Sequence, residues 1–229
     1  MLNAIRRWPR TARRIREDHG LLALLWASCL FLISPVLECK TFNLYEYQVK
    51  QHLGSDEPLR DMGASEISFK IVSSNQEADK LESENYRFRS CPTDFNYGLT
   101  DYARWLEQGA TAFCTFVGTE FAAIEWIVSS RQTQDSMKAP AMRIDYANHE
   151  ALDRGAWVNP KYRGLGLYRY TLRNRDRYLA GIEIDVTRTC IELWNKTGMG
   201  LTISVGARQY GRGRELRFLF WKAWKETHL

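Results

Sequence analysis

The spacing of hydrophobic and polar residues changes several times along the chain, and each change marks an element. Ile67 to Val72 (ISFKIV) alternates and predicts a strand. Asn75 then stands where a helix cap belongs, ahead of Gln76, Glu77, Ala78, Lys80 and Leu81. A second helix is predicted through Tyr102, Trp105 and Leu106, capped by Thr100 or Asp101 and closed by Gly109. TAFCTFV, Gly118-Thr119 and EFAAIEWIVS follow as a hairpin signal. Beyond the polar stretch Ser129 to Lys138, a short strand is predicted at Met142 to Tyr146. Ile182 to Val186 predicts another strand, TRTCIELWNKTG reads as helical to Gly198, and Leu201 to Tyr210 pairs with Leu216 to Trp224 around Gly211 and Gly213. Strands and helices in this order predict an α/β fold with a mixed sheet.

Ala151 to Ala180 is the most informative stretch. The apolar run Gly155, Ala156, Trp157 and Val158 meets Asn159-Pro160, then a turn from Lys161 to Gly166, then a helix in which Tyr168, Leu172, Arg175 and Leu179 recur at helical spacing. A strand, a glycine turn and a helix together present unpaired backbone N–H groups to an anion. Gly164 and Gly166 permit positive φ or close approach of a ligand, and Lys161 and Arg163 add positive charge at the same end.

Ahead of the predicted domain, residues 67–229, lies an extension of residues 1–66. Six arginines before Glu17 and Asp18 are followed by Gly20 to Leu37, eighteen residues without a charge. That length is at the lower edge of what crosses a hydrocarbon core, and preceding basic residues favour a cytoplasmic N-terminus. Three readings of residues 20–37 stay open: a membrane-spanning or re-entrant anchor, a helix lying on a membrane or against a partner protein, and a buried helix of a soluble domain. The expected location is the cytoplasmic side of a membrane, or the cytoplasm. A short helix is predicted from Tyr45 to Leu53, stopped by Gly54, before a polar linker with Pro58 and Gly63.

Composition narrows the classes. The 229 residues are 45% hydrophobic, enough for a substantial core. The formal charge is +5, but residues 1–19 account for +4 of it, so the domain is nearly balanced and nucleic acid is not an expected partner. Five scattered cysteines and four dispersed histidines suggest neither a disulfide framework nor a metal site. Cys114 and Cys190 lie in apolar surroundings and read as packing residues. Arg169, Arg173, Arg175 and Arg177, with Asp176 among them, read as a solvated helix face.

The segments VNPKYRGLG (Val158 to Gly166) and IELWNKTGM (Ile191 to Met199) resemble the GCN5-related N-acetyltransferase (GNAT) superfamily in its broad sense. The resemblance implies a mixed, mostly antiparallel sheet flanked by helices, and direct acyl transfer from acetyl-CoA, a longer acyl-CoA or a carrier-protein thioester to an amine on a small molecule or protein, without a metal. It assigns the pyrophosphate or pantetheine to Lys161, Tyr162, Arg163, Gly164, Leu165 and Gly166, and the thioester carbonyl to backbone amides near Trp157 and Val158. Family members carry glutamine or arginine where Lys161 stands, and commonly tyrosine where Trp194 stands. An indole N–H cannot protonate a leaving thiolate. A general base for the acceptor ammonium is sought among Glu150, the first choice, His149, Asp153 and Glu125. The competing expectation is a non-catalytic subunit of the same fold, joined to a membrane-associated complex through its hydrophobic helix.

Overall fold

The computed structural model describes residues 37–52, 66–88, 102–137, 139–218 and 221–229. Among them, eight strands form a single sheet. In chain order they are β1 (Leu37–Gln48), β2 (Ile67–Val72), β3 (Thr111–Val117), β4 (Glu120–Val128), β5 (Glu150–Val158), β6 (Val186–Glu192), β7 (Arg208–Phe218) and β8 (Trp221–His228). The spatial order is β2-β3-β4-β5-β6-β1-β7-β8. Only β5 and β6 run parallel; every other pair is antiparallel. The α/β class and the mostly antiparallel sheet flanked by helices therefore stand as expected.

Five helices pack on it: α1 (Asn75–Ser83), α2 (Tyr102–Glu107), α3 (Arg131–Ser136), α4 (Leu167–Gly181) and α5 (Lys196–Ser204). The alternation of β3 and β4 decides which face each helix covers. Cys114, Phe116, Ile124 and Trp126 join Leu81 of α1 and Trp105 of α2 in the main core. Phe113 and Ile127 point the other way, toward Leu179 of α4. Thr115 on β3 and Thr171 on α4 share a buried hydrogen bond of 2.7 Å, so a polar pair fixes the register of α4 on the sheet. Ser74, not Asn75, caps α1: its hydroxyl accepts from Glu77 N at 3.2 Å.

Several expectations are corrected. Residues 37–48, assigned to the extension, form the strand β1, hydrogen-bonded on both edges between β6 and β7. The short helix predicted at Tyr45 to Leu53 reduces to a 3₁₀ turn, Val49–His52. Phe42 and Leu44 alternate with Asn43, Tyr45 and Tyr47, which is strand period with strand-forming aromatics. Among the described residues, no helix is long and apolar enough to cross a membrane, and this corrects the expectation of a transmembrane helix. Apart from Leu37, which starts β1, the apolar run of residues 20–37 lies outside the described residues, as do Thr100 and Asp101. The stretch from Met142 to Tyr146 is not a strand, and the polar stretch before it contains α3. Residues 187–192 are strand and 201–204 are helix, the reverse of what their pattern predicts.

Gly211 and Gly213 lie inside β7, not in a turn. A Cβ at Gly213 would overlap the Trp224 ring and meet Leu44 at 3.2 Å; the glycine makes room for a tryptophan from β8. Gly213→Ala is expected to destabilise the protein by about 1–3 kcal/mol through overpacking. Denaturant midpoints would check this, and an unchanged midpoint would refute the packing account.

Candidate functional site

The parallel pairing of β5 and β6 is short. It runs over Glu150↔Val186, Ala151↔Thr187 and Leu152↔Arg188, and then the strands part. β5 continues along β4 as far as Ala123↔Val158, while β6 continues along β1 as far as Phe42↔Glu192. Two residues whose register slips, Arg154 and Gly155, lie opposite the β4 segment between Glu125 and Ile127. Gly155 has φ +86°, a conformation that only glycine adopts without strain, so the departure of β5 is built into the sequence. The result is a cleft of about 880 Å³ when its open mouth and the solvent in it are included. Trp105, Leu152 and Arg154 line one side, Thr189 and Cys190 the other, and Asp153 and Tyr168 reach it from the α4 side. Burial pushes the Cys190 thiol up to about 12, so it stays protonated and is no nucleophile at neutral pH.

Tyr168, the second residue of α4, lines this cleft, whereas Trp157, Val158 and the turn from Lys161 to Gly166 do not. Asn159 anchors the turn to β4: its backbone N–H donates to Ala122 O at 2.8 Å and its side-chain amide to Phe121 O at 3.1 Å. Its Oδ1 accepts from Lys161 N at 3.1 Å. Tyr162 and Leu165 pack with Ala122 and Leu167 and serve as the apolar underside of the turn. Lys161 Nζ and Tyr162 Oη both donate to the Glu120 carboxylate, each at 2.5 Å. The hydrogen bond to Glu120 raises the Lys161 pKa, and that from Lys161 lowers the Glu120 pKa. Arg163 Nε donates to Val158 O at 3.2 Å. Gly164 and Gly166 both adopt positive φ, +78° and +83°. Gly166 is itself the N-cap of the fifteen-residue α4, so no side chain caps its first turn. Trp157 stacks on Phe121 at 5.9 Å between centroids, fixing the end of β5 against the core.

The four base candidates are not equivalent. Glu150 occupies the first rung of the closed β5–β6 pair and is held by Arg188 at 2.6 Å and by Asp145 N at 2.8 Å. His149 is exposed at φ +60° on the turn before β5. Neither lines the cleft. Asp153 does, and Glu125 lies behind it, completely buried on β4. Between them and α4 sits Arg175, 1% exposed. Its Nη1 is 2.8 Å from Glu125 and 3.5 Å from Asp153, while Nε and Nη2 both donate to Asp176 Oδ1, at 3.0 and 2.7 Å. Tyr47 of β1 donates to Asp176 Oδ2 at 2.7 Å, and Tyr168 to Glu125 at 3.4 Å. Arg175 and Asp176 thus leave the solvated face to which the sequence reading assigned them. The signal was present, because Arg175 falls on the apolar stripe with Tyr168, Leu172 and Leu179. Trp194 is 60% exposed and its indole N–H donates to Glu192, so it offers no acid to the cleft. Among the described residues, no group of three or more His, Cys, Asp or Glu is placed to hold a metal ion.

Comparison with known proteins bears on the fold. No family model matches the chain, and no curated protein does. Solved structures do match. A functionally unknown conserved protein from Staphylococcus epidermidis is 12% identical, with a TM-score of 0.51 over 85% of this chain and 68% of that one. A Drosophila protein is 14% identical (TM-score 0.49; 84% and 56% covered), and a GNAT-family acetyltransferase from Colwellia psychrerythraea is 15% identical (TM-score 0.46; 86% and 62% covered). The chain spans less than two thirds of the last two. The first of these shares the fold, and an identity this low leaves the activity to the site itself.

Proposed function

We propose that the protein moves an acyl group from a pantetheine thioester, acyl-CoA in preference to a carrier protein, directly to an amine. The observation that carries this reading is the parting of β5 from β6 beside the uncapped N-terminus of α4. The two features suit the two halves of one donor. Backbone N–H groups at Leu167 and its neighbours suit a pyrophosphate, and the slot between the strands suits a narrow pantetheine arm. Beyond Leu152 the register between β5 and β6 ends, while Trp157 and Val158 stay in register with Ile124 and Ala123 of β4, and the edge of β5 turned toward β6 is the side on which a thioester oxygen would lie. Lys161, held by Glu120, and Arg163 add charge at the phosphate end.

A second reading, a donor-binding protein without turnover, is favoured by Trp194 alone, since it removes the acid expected for the thiolate. Direct transfer does not require that acid, because a thiolate is a tolerable leaving group and orientation of the reactants supplies much of the rate.

Gly164→Trp tests donor binding. A Cβ at Gly164 meets nothing within 4 Å, so the variant is expected to fold with a penalty of about 1–2 kcal/mol for its positive φ. Its side chain projects into the space assigned to the phosphates, and acetyl-CoA is expected to bind at least about tenfold more weakly by calorimetry, a loss of about 1.4 kcal/mol. Equal affinity in the folded variant would reject this placement. No acetyl-CoA binding to the wild-type chain would reject the reading.

A further inference from the structure

We propose that Glu125 and Asp153 hold one proton between them, and that Asp153, the member reaching the cleft, takes the proton of the acceptor ammonium. The second half rests on the acyl-transfer reading; the first does not. The argument is a charge count in a closed space. Three carboxylates, Glu125, Asp153 and Asp176, surround one guanidinium, with side-chain exposures of 0%, 14% and 1% against 1% for Arg175. Arg175 gives its two-pronged contact to Asp176, which also receives the Tyr47 hydroxyl. Asp176 therefore takes the cation. Glu125 and Asp153 are left to share Nη1, and two carboxylates so placed cannot both ionise.

The groups around them do not change the count. The cavity that Asp153 lines on this side also receives Tyr168 and Arg175 from α4, Tyr45, Tyr47 and Glu46 from β1, the last already paired with Arg208 at 2.5 Å, and the uncharged Thr187 and Thr189 from β6. Arg154, next on β5, acts on Cys190. Burial holds the Glu125 carboxyl well above the usual range, with Arg175 opposing; burial likewise raises Asp153, with Arg175 opposing. One proton shared by both is the pair's state near neutral pH.

In the reaction, the ionised member of the pair is the base. One ammonium proton passes to Asp153, and the freed amine attacks the thioester carbonyl to form C–N. The C–S bond then breaks, and the departing thiolate takes the second proton lost by nitrogen. Asp153 returns its proton to solvent through the cleft. Glu125 is a positioning residue: it never meets the substrate and sets the basicity of Asp153.

The experiment is infrared spectroscopy of the full chain near neutral pH, on wild type, Glu125→Gln and Asp153→Asn. A shared proton predicts a carboxylic-acid C=O band in wild type that disappears in both variants, because in Asp153→Asn the lone Glu125 ionises against Arg175. A band that survives Asp153→Asn, or is absent from wild type, overturns the sharing. The catalytic half is read as thiol release from acetyl-CoA with a panel of primary amines. Asp153→Asn is expected to bind acetyl-CoA as wild type does and to lose turnover by about a hundredfold. Glu125→Gln is expected to be slower by about tenfold, with the acid limb of its pH profile moved to higher pH, since an amide donates more weakly than a carboxylic acid and so stabilises the ionised Asp153 less. Equal turnover of Asp153→Asn and wild type, or an unmoved limb, overturns the catalytic half. If acetyl-CoA does not bind, the acyl-transfer reading fails, and the infrared result still decides the shared proton.

Discussion

Arg175→Ala is expected to lower folding stability by about 3–5 kcal/mol near neutral pH, the usual consequence of removing one partner from a buried ion pair. Glu125, Asp153 and Asp176 then face one another without the guanidinium that all three contact. For Glu125 and Asp153 the protonated forms become still more favoured in the folded state, so their folded pKa values rise further above the unfolded ones of about 4. Between those limits the folded chain binds more protons than the unfolded chain, and stability falls as pH rises. The variant should therefore recover as pH is lowered toward about 4 and be weakest above neutrality. Adding Asp176→Asn should restore part of the loss, because it removes the carboxylate to which Arg175 is bound in two places. Urea unfolding at several pH values would measure both effects. A loss independent of pH would show that Arg175 acts through packing and not through charge.

That network also shows how far the sequence was readable. The strand, turn and helix from β5 to α4 were legible because the pattern passes from strand to helical period across two glycines, and Gly164 and Gly166 do adopt positive φ. Arg175 was misassigned although it lies on the apolar stripe of α4. An arginine at a core position is rare unless paired, and its partners come from β4, β5 and its own neighbour, a combination that periodicity in one segment cannot supply.

Other misreadings have the same origin. β1 looked like part of the extension because its alternation is short and follows a long apolar run. Its place between β6 and β7 follows from long-range pairing. α5, KTGMGLTIS, contains two glycines and β-branched residues, so its intrinsic preference opposes helix. The sheet packing of Met199 against Tyr45 and Ile191, and the Asn195 cap on Gly198 N at 2.9 Å, override that preference. Glu150 is the first choice of base by sequence, but its side-chain direction cannot be fixed by counting from an uncertain strand start. Its register with Val186 places it where β5 and β6 are still joined, and Asp153, three residues on, is where they have begun to part.

Trp126→Ala tests the opposite wall of the cleft and should cost about 3–5 kcal/mol. Trp126 is 0% exposed on β4 and is among the largest side chains in the core. It stacks on Tyr102 at 5.6 Å and meets Trp105 edge-on at 5.1 Å, so it joins α2 to the sheet. Trp105 in turn lines the cleft. Truncation removes the support beneath that wall as well as the buried area, and α2 has six residues with which to hold its place. Trp126→Phe separates the two contributions. The indole Nε1 is buried without a hydrogen-bond partner, so phenylalanine removes an unsatisfied donor while keeping most of the ring. Its net cost is expected to be about 1 kcal/mol or less, the lost volume being offset in part by the relief of that donor. Thermal unfolding of both variants would check the order. If Trp126→Phe destabilised as much as Trp126→Ala, the indole N–H would have to be satisfied, and packing alone would not explain why tryptophan stands at this position.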